Sequence, residues 1–237
     1  MKRWYSSFSK RWYERYKHPI VAKRLNAKWL LDPQDADDIR FLGWQIFETD
    51  QRNFLLTEMK RRNVTRFFDC GARMGIYSVF MAQNMDLPGG IDAFEPIPAQ
   101  AIKIRTNLWM NNLDDQIRLH EAAVSDSRGE AHLMIPDRFT GTSTLICDQD
   151  SKGCTVQTVK LDDLCDERGA SLALKIDVEG AEHLVVKGMQ RLIKENSCLL
   201  QIECFESNKD RLFGLMASAG YSSFSNIEQD YYFEKQS

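Results

Sequence analysis

The 237-residue sequence has six cysteines but no C-x-x-C pair. Cys70, Cys147, Cys154, Cys165, Cys198 and Cys204 are spaced too irregularly for a zinc ribbon or a disulfide ladder, so reduced thiols in the cytosol are expected. Histidine is scarce: His18, His120, His132 and His183 are scattered, and their spacing gives no metal centre. No stretch approaches the ~20 apolar residues of a membrane span, and the first residues hold no apolar signal core. A surplus of positive charge is missing too, since 31 Lys/Arg stand against 34 Asp/Glu. That balance argues against a general nucleic-acid binder, which needs a basic surface to displace counterions from phosphates. No internal repeat or low-complexity segment interrupts the chain. The expectation is a cytoplasmic protein with a core that needs neither disulfides nor metal.

The charge is unevenly spread. Residues 1–28 carry nine Lys/Arg and a single acid, Glu14, whereas the remainder holds 22 basic and 33 acidic residues. Within that basic head Trp4, Tyr5, Phe8, Trp12, Tyr16 and Ile20 recur at helical spacing. Such an aromatic face with basic flanks suits an anionic membrane surface. It equally suits packing on the main domain or across a homo-oligomer, and the sequence leaves these readings open. Further helix is expected over 32–60, opened by the Asp32-Pro33 turn. Residues 1–60 therefore read as a helical extension.

From residue 61 strands and helices alternate. Val64–Cys70, Gly90–Phe94, Ile117–Val124, Leu172–Val178 and Cys198–Cys204 read as strands. Amphipathic helices lie between them, and Tyr221–Phe224 with Tyr231–Phe233 reads as a terminal hairpin. This order predicts an α/β domain over 61–237, with a mainly parallel sheet covered by helices on both faces.

In such a sheet, ligands sit at the carboxyl ends of strands near the point where strand order reverses. The first strand ends in Asp69-Cys70-Gly71-Ala72-Arg73-Met74-Gly75. Glycine there lets backbone approach a ligand, and the following helix N-terminus favours an anionic group. The second strand ends in Glu95-Pro96, with the carboxylate placed to accept ribose hydroxyls. The spacing after Gly71 differs from the G-x-G-x-x-G of dinucleotide binders, which counts against an NAD or nucleotide-sugar protein. Lys175, Asp177 and Glu179 leave an otherwise apolar strand and would share a face if the strand ran that far. Unpaired buried charge is costly, so these three are candidate catalytic residues or an ion-pair network. Glu203 adds an acid at the same sheet edge.

The ordered set D-C-G-A-R-M-G-I-Y-S, F-E-P-I-P, A-A-V-S-D, L-D-D-L and K-I-D-V-E-G-A-E resembles the FkbM family of methyltransferases over roughly residues 64–205. The resemblance implies a Rossmann-like methyltransferase fold with a seven-stranded sheet, S-adenosylmethionine as cofactor, and O-methylation of a sugar or polyketide-type hydroxyl. It places Asp69, Gly71 and Gly75 around the methionine part, with Ala72 and Arg73 in the same turn. Glu95 and the adjoining Pro96 fall at the ribose, and Ala123 and Val124 at the adenine edge. Asp177 and Glu179 match the acids near the acceptor. Arg73 departs from the family's pattern, where a small or amide residue is commoner; it either reaches the cofactor carboxylate or faces solvent. Mg²⁺ is permitted by the acid oxygens of Asp177, Glu179 and Glu203 but not indicated. An RNA 2′-O-methyltransferase using Lys175 and Asp177 is the remaining alternative, for which only the basic head speaks. His183 is the one histidine near the acids; Thr142, Ser143 and Thr144 fall in a polar loop; Asp162 and Asp163 read as a turn and helix cap.

Overall fold

A computed structural model describes residues 18–43, 48–134, 144–145 and 153–236. The aromatic series up to Tyr16, most of the Arg138–Thr144 loop, and Cys147 lie outside the described residues. No described helix is long and apolar enough to cross a membrane.

The first described element corrects the helical expectation. Ile20, the last member of the aromatic series, opens strand β1 (Ile20–Arg24), which turns back into β2 (Ala27–Leu31). Leu25 and Asn26 both take positive φ, 46° and 58°, the pairing that lets a two-residue turn follow the strand twist. Burial in β2 alternates, with Ala27, Trp29 and Leu31 inward and Lys28 outward. Period two therefore wins over period 3.6 here. Trp29 packs edge-on against Phe41 and donates its Nε1–H to the Arg24 carbonyl at 2.9 Å.

Helices follow as expected. Asp32 makes the turn, and Asp35 caps α1 (Ala36–Leu42), its Oδ1 accepting from the N–H groups of Asp37 and Asp38. Next comes α2 (Thr49–Arg61). Trp29, Leu31, Phe41, Leu55 and Met59 share one core with Phe67, Val79 and Ile91 of the α/β region, so residues 20–61 pack as part of the same body.

The sheet is built from β3 (Arg66–Cys70), β4 (Ile91–Phe94), β5 (Ile117–His120), β10 (Ser171–Ile176), β11 (Ser197–Glu203), β12 (Tyr221–Ile227) and β13 (Asp230–Lys235). Its order is β12-β13-β11-β10-β3-β4-β5, parallel throughout except for the terminal hairpin. Successive side chains of each strand feed opposite faces. Phe67, Ala173, Leu199 and Tyr232 meet α2, α3 (Ile76–Asn84) and α4 (Pro98–Met110) on one side. Phe68, Leu174, Leu200 and Phe233 meet α6 (Glu182–Gly188), α7 (Gln190–Glu195) and α8 (Lys209–Ser218) on the other. Between β3 and β10 the strand order reverses, which opens a crevice at their carboxyl ends.

Ile117–Val124 is two strands rather than one. β5 stops at His120, and β6 (Ala123–Val124) pairs with β9 (Gly153–Val159) in a second sheet completed by β7 (Gly129–Met134) and β8 (Thr144–Leu145). The short helix α5 (Leu161–Leu164) follows β9. Asp162 does cap a helix, but a distant one: its carboxylate accepts from the N–H groups of Arg191 and Leu192 in α7 at 3.0 and 2.8 Å.

Candidate functional site

At the crevice, the turn from β3 into α3 is held by backbone geometry. Gly71 (φ +86°), Arg73 (φ +54°) and Gly75 (φ +87°) all occupy the left-handed region. A Cβ on Gly71 would sit 1.8 Å from the Asp177 carbonyl oxygen, so glycine at 71 lets the ends of β3 and β10 pass. The Asp177 N–H donates to the Cys70 carbonyl at 3.0 Å and fastens that crossing. Asp69, buried at the end of β3, accepts from the N–H and Oγ–H of Ser78 at 3.1 and 2.6 Å, anchoring the first turn of α3. Burial raises its pKa against the opposing pull of Lys175.

Glu95 lies just past β4. Its Oε2 accepts from the Arg73 N–H at 2.8 Å and its Oε1 from the Ile97 N–H at 2.9 Å. Burial pushes this carboxyl up to about 7, while the two N–H donors restrain the shift. Arg73 is part-buried and lines the cleft while held by two acids. Its guanidinium pairs with Asp35 at 3.3 Å and with Asp37, tying the glycine turn to the start of α1. Beside it Lys103 holds Asp38 at 2.7 Å, and burial lifts Asp38 to about 6.

Lys175 occupies the opposite wall. Strand register sets Asp69, Lys175, Gln201 and Tyr232 in one row across the sheet. Lys175 is only 4% exposed, pairs with Asp177 Oδ2 at 2.5 Å, and lies 5.0 Å above the Tyr77 ring. Burial alone would discharge it, but Asp177, Glu48, Asp69 and Asp230 outweigh that cost and raise its pKa. Gln201 braces the surroundings, donating to Tyr77 Oη and to Asp230 Oδ1 at 2.9 and 2.8 Å.

β10 ends at Ile176, so Asp177 and Glu179 leave the sheet instead of extending its face. Glu179 takes φ +54° in the loop yet still lines the same cleft as Asp177. Burial, reinforced by Asp177, pushes Glu179 up to about 7. Glu203, at the end of β11, lies alongside Asp177 through the Ile176–Ile202 register, and both line the cleft. Burial and the Asp177 charge push Glu203 up to about 9. For Asp177, the cost of burial is overcome by Lys175 and Glu203, which hold it below its usual value.

These walls enclose a cleft of about 290 Å³. Of the residues singled out in the sequence, Asp69, Gly71, Ala72, Arg73, Lys175, Asp177, Glu179 and Glu203 line it. Glu95 and Pro96 stand behind the turn, Gly75 packs toward Ile104, Ala123 packs with Leu133 and Val156, and Val124 packs with Phe68 and Phe94. The remaining wall was not legible in sequence: Asp37 and Arg40 from α1, Glu48 and Arg52 at α2, Tyr77 from α3, and Phe205 after β11. Glu203 falls at the sheet edge as expected, because in-register parallel strands put the residues after Ile176 and Ile202 side by side. His183 is outside this lining, and burial lowers its pKa. Among the described residues no three His, Cys, Asp or Glu side chains form a group able to hold a metal ion.

A sequence profile for the Methyltransferase FkbM domain matches residues 69–229, from the glycine turn to the terminal hairpin. Comparison with curated proteins returns no match. Among solved structures, methyltransferase FkbM from Methylobacillus flagellatus KT is 15% identical with a TM-score of 0.48; the alignment covers 73% of this chain but 43% of that one. A candidate O-methyltransferase from Klebsiella pneumoniae is 10% identical, with 81% and 80% covered and a TM-score of 0.50, a likeness of fold. An O-methyltransferase from Bacillus cereus in complex with SAH is 12% identical, with 79% and 80% covered and a TM-score of 0.48. With the Rossmann-like sheet in place and the family's domain matched over most of this chain, residues 69–229, the chain belongs to the FkbM methyltransferase family.

Proposed function

We propose that the protein is an S-adenosylmethionine-dependent methyltransferase acting on a hydroxyl oxygen of a sugar, carried on a glycan, glycolipid or related natural product. One observation carries this reading: a single cleft at the strand-order reversal joins the glycine turn after β3 to the Asp177 carboxylate. A donor held at the turn is therefore beside a base.

The donor set fits an adenosyl sulfonium. The buried Asp69 carboxylate in the cleft wall suits a positive group of the donor, and Glu95, behind the turn, is the carboxylate assigned to the ribose hydroxyls. When bound, that cofactor supplies a methyl group already activated on a cationic sulfur. The protein's share of the work is alignment and exclusion of water, and alignment alone contributes several kcal/mol. Lys175 keeps Asp177 ionised and fixed, so Asp177 orients the acceptor hydroxyl and takes its proton. At the cleft wall Glu179 and Glu203 offer acceptors for further hydroxyls, and the half-exposed Phe205 ring offers an apolar face. Carboxylates beside an aromatic ring suit a polyol, which supports a sugar acceptor.

Calorimetry with S-adenosylmethionine, NAD and nucleotide sugars tests the cofactor half of this reading. Binding of the first alone is expected, and binding of NAD in its place would overturn it.

A further inference from the structure

Asp177 and Glu203 follow paired residues of neighbouring parallel strands, Ile176 and Ile202, so the register sets them side by side at the end of the sheet, and both line the cleft. Two carboxylates so placed cannot both be charged without compensation, because like charges in a dry site disfavour ionisation. The nearest cation is Lys175, and its Nζ is committed to Asp177. Other acids crowd the site from every side: Asp69 on β3, Asp230 on β13, Glu179 in the loop, Glu182 on α6 and Glu48 before α2. Against them stand only Lys175, Arg73, Arg40 and Arg52 among the cleft-lining cations, and Arg73 is paired with Asp35 and Asp37.

We propose that Asp177 and Glu203 share one proton in the free protein and expel it when a cationic methyl donor enters the cleft, so that both members of the pair are charged only with the donor in place. This rests on the methyl-donor reading above. The high pKa of Glu203, about 9, beside the low one of Asp177 agrees with a single shared proton that belongs to the pair. Charge then balances through turnover. As the acceptor oxygen bonds to the methyl carbon, the carbon–sulfur bond breaks and its electron pair stays on sulfur. The hydroxyl proton passes to the Asp177–Glu203 pair as the donor's positive charge is lost. The cleft carries the same total charge before and after, and its affinity for the neutral product falls because the pair no longer faces a cation.

The test is calorimetric titration of the full chain at pH 8 with S-adenosylmethionine and with S-adenosylhomocysteine, each in buffers of different ionisation enthalpy. The two ligands differ only in the sulfonium methyl, so their amino and carboxyl groups cancel. Glu95 and Glu179, at about 7, are already largely ionised at this pH. The methyl donor is expected to release about 0.5–1 proton more than the product, from the linkage between charge and protonation. In Glu203→Gln, and independently in Asp177→Asn, that difference should vanish while the donor still binds. Equal proton counts for both ligands in the wild type, or a difference that survives in both variants, would overturn the proposal. Absence of donor binding by the folded wild type would instead overturn the methyl-donor reading on which it depends.

Discussion

Lys175 is a charged side chain with almost no access to water, and its position explains why Asp177 remains a carboxylate inside the protein. Asp177→Asn keeps the shape and removes the charge. Steady-state kinetics should show turnover reduced by about 10²-fold or more, with donor affinity little altered. Full activity in that variant would end the assignment of Asp177 as base. Glu95 makes a different claim, since it stands behind the glycine turn. Glu95→Ala should weaken donor binding by about 1.5–3 kcal/mol, the scale of lost charge-assisted hydrogen bonds. Wild-type affinity in the folded variant would remove Glu95 from the ribose site. Both residues were legible in sequence because each stands just past the carboxyl end of a strand in the α/β series. The need for Gly71 was legible, but its reason was not. Sequence pointed to a ligand, whereas the added Cβ meets the Asp177 carbonyl from a strand more than 100 residues later. Gly71→Ala should therefore cost at least ~2 kcal/mol of stability in chemical denaturation, from strain at positive φ plus the clash.

At the scale of elements, amphipathic periodicity located the sheet strands and their helices but failed at the N-terminal side. The aromatic series through Ile20 suggested one continuous helix, while the alternation of Ala27, Trp29 and Leu31 is only five residues long and sits beside basic residues. Short strands like β1 and β2 are decided by what they pack on. Asn107 of α4 accepts from the Leu30 N–H at 2.7 Å, and Asn111 bonds both backbone groups of Lys28. No local pattern announces such partners. The arms joining α1 to the glycine turn were equally silent, since Asp35, Asp37 and Asp38 look like ordinary acids at a helix start. A consequence for truncation follows. If the basic head contacts an anionic membrane surface, removing residues 1–17 should abolish vesicle binding and leave thermal stability and donor affinity intact; if it packs on the main domain or across an oligomer, stability or assembly should be lost instead. Removing residues 1–28 deletes β1 and the start of β2, and should lower the melting temperature by several degrees. A stable 29–237 chain in a thermal melt would show that the hairpin adds nothing to the core.

Across the whole molecule, the cleft gathers carboxyl groups that fold into the protein against their preference. Glu95 and Glu179 rise to about 7 and Glu203 to about 9, from an unfolded value near ~4.3. Such groups hold protons in the folded state that the unfolded chain has already released, so stability falls as pH rises. Asp177, Asp92 and Glu58 are lowered and act in the opposite sense only in acid, where their loss of charge destabilises. The free protein should accordingly melt at a lower temperature at pH 8.5 than at pH 6.5, measured by calorimetry; a flat or rising profile would contradict the burial of these acids. The sequence made the succession of strands and helices, the glycine turn and the acid cluster legible because each is local and chemically unusual. It could not show the α1 roof or the Glu203 partnership, which arise only when distant segments meet. The central claim, that donor and base share one cleft, is tested most directly by labelled methyl transfer from S-adenosylmethionine to glycolipid, polysaccharide and RNA fractions, with wild type and Asp177→Asn side by side. The account predicts label in a carbohydrate-bearing fraction with the wild type and at least ~10²-fold less with the variant. Label in RNA alone, or equal label from both proteins, would contradict it.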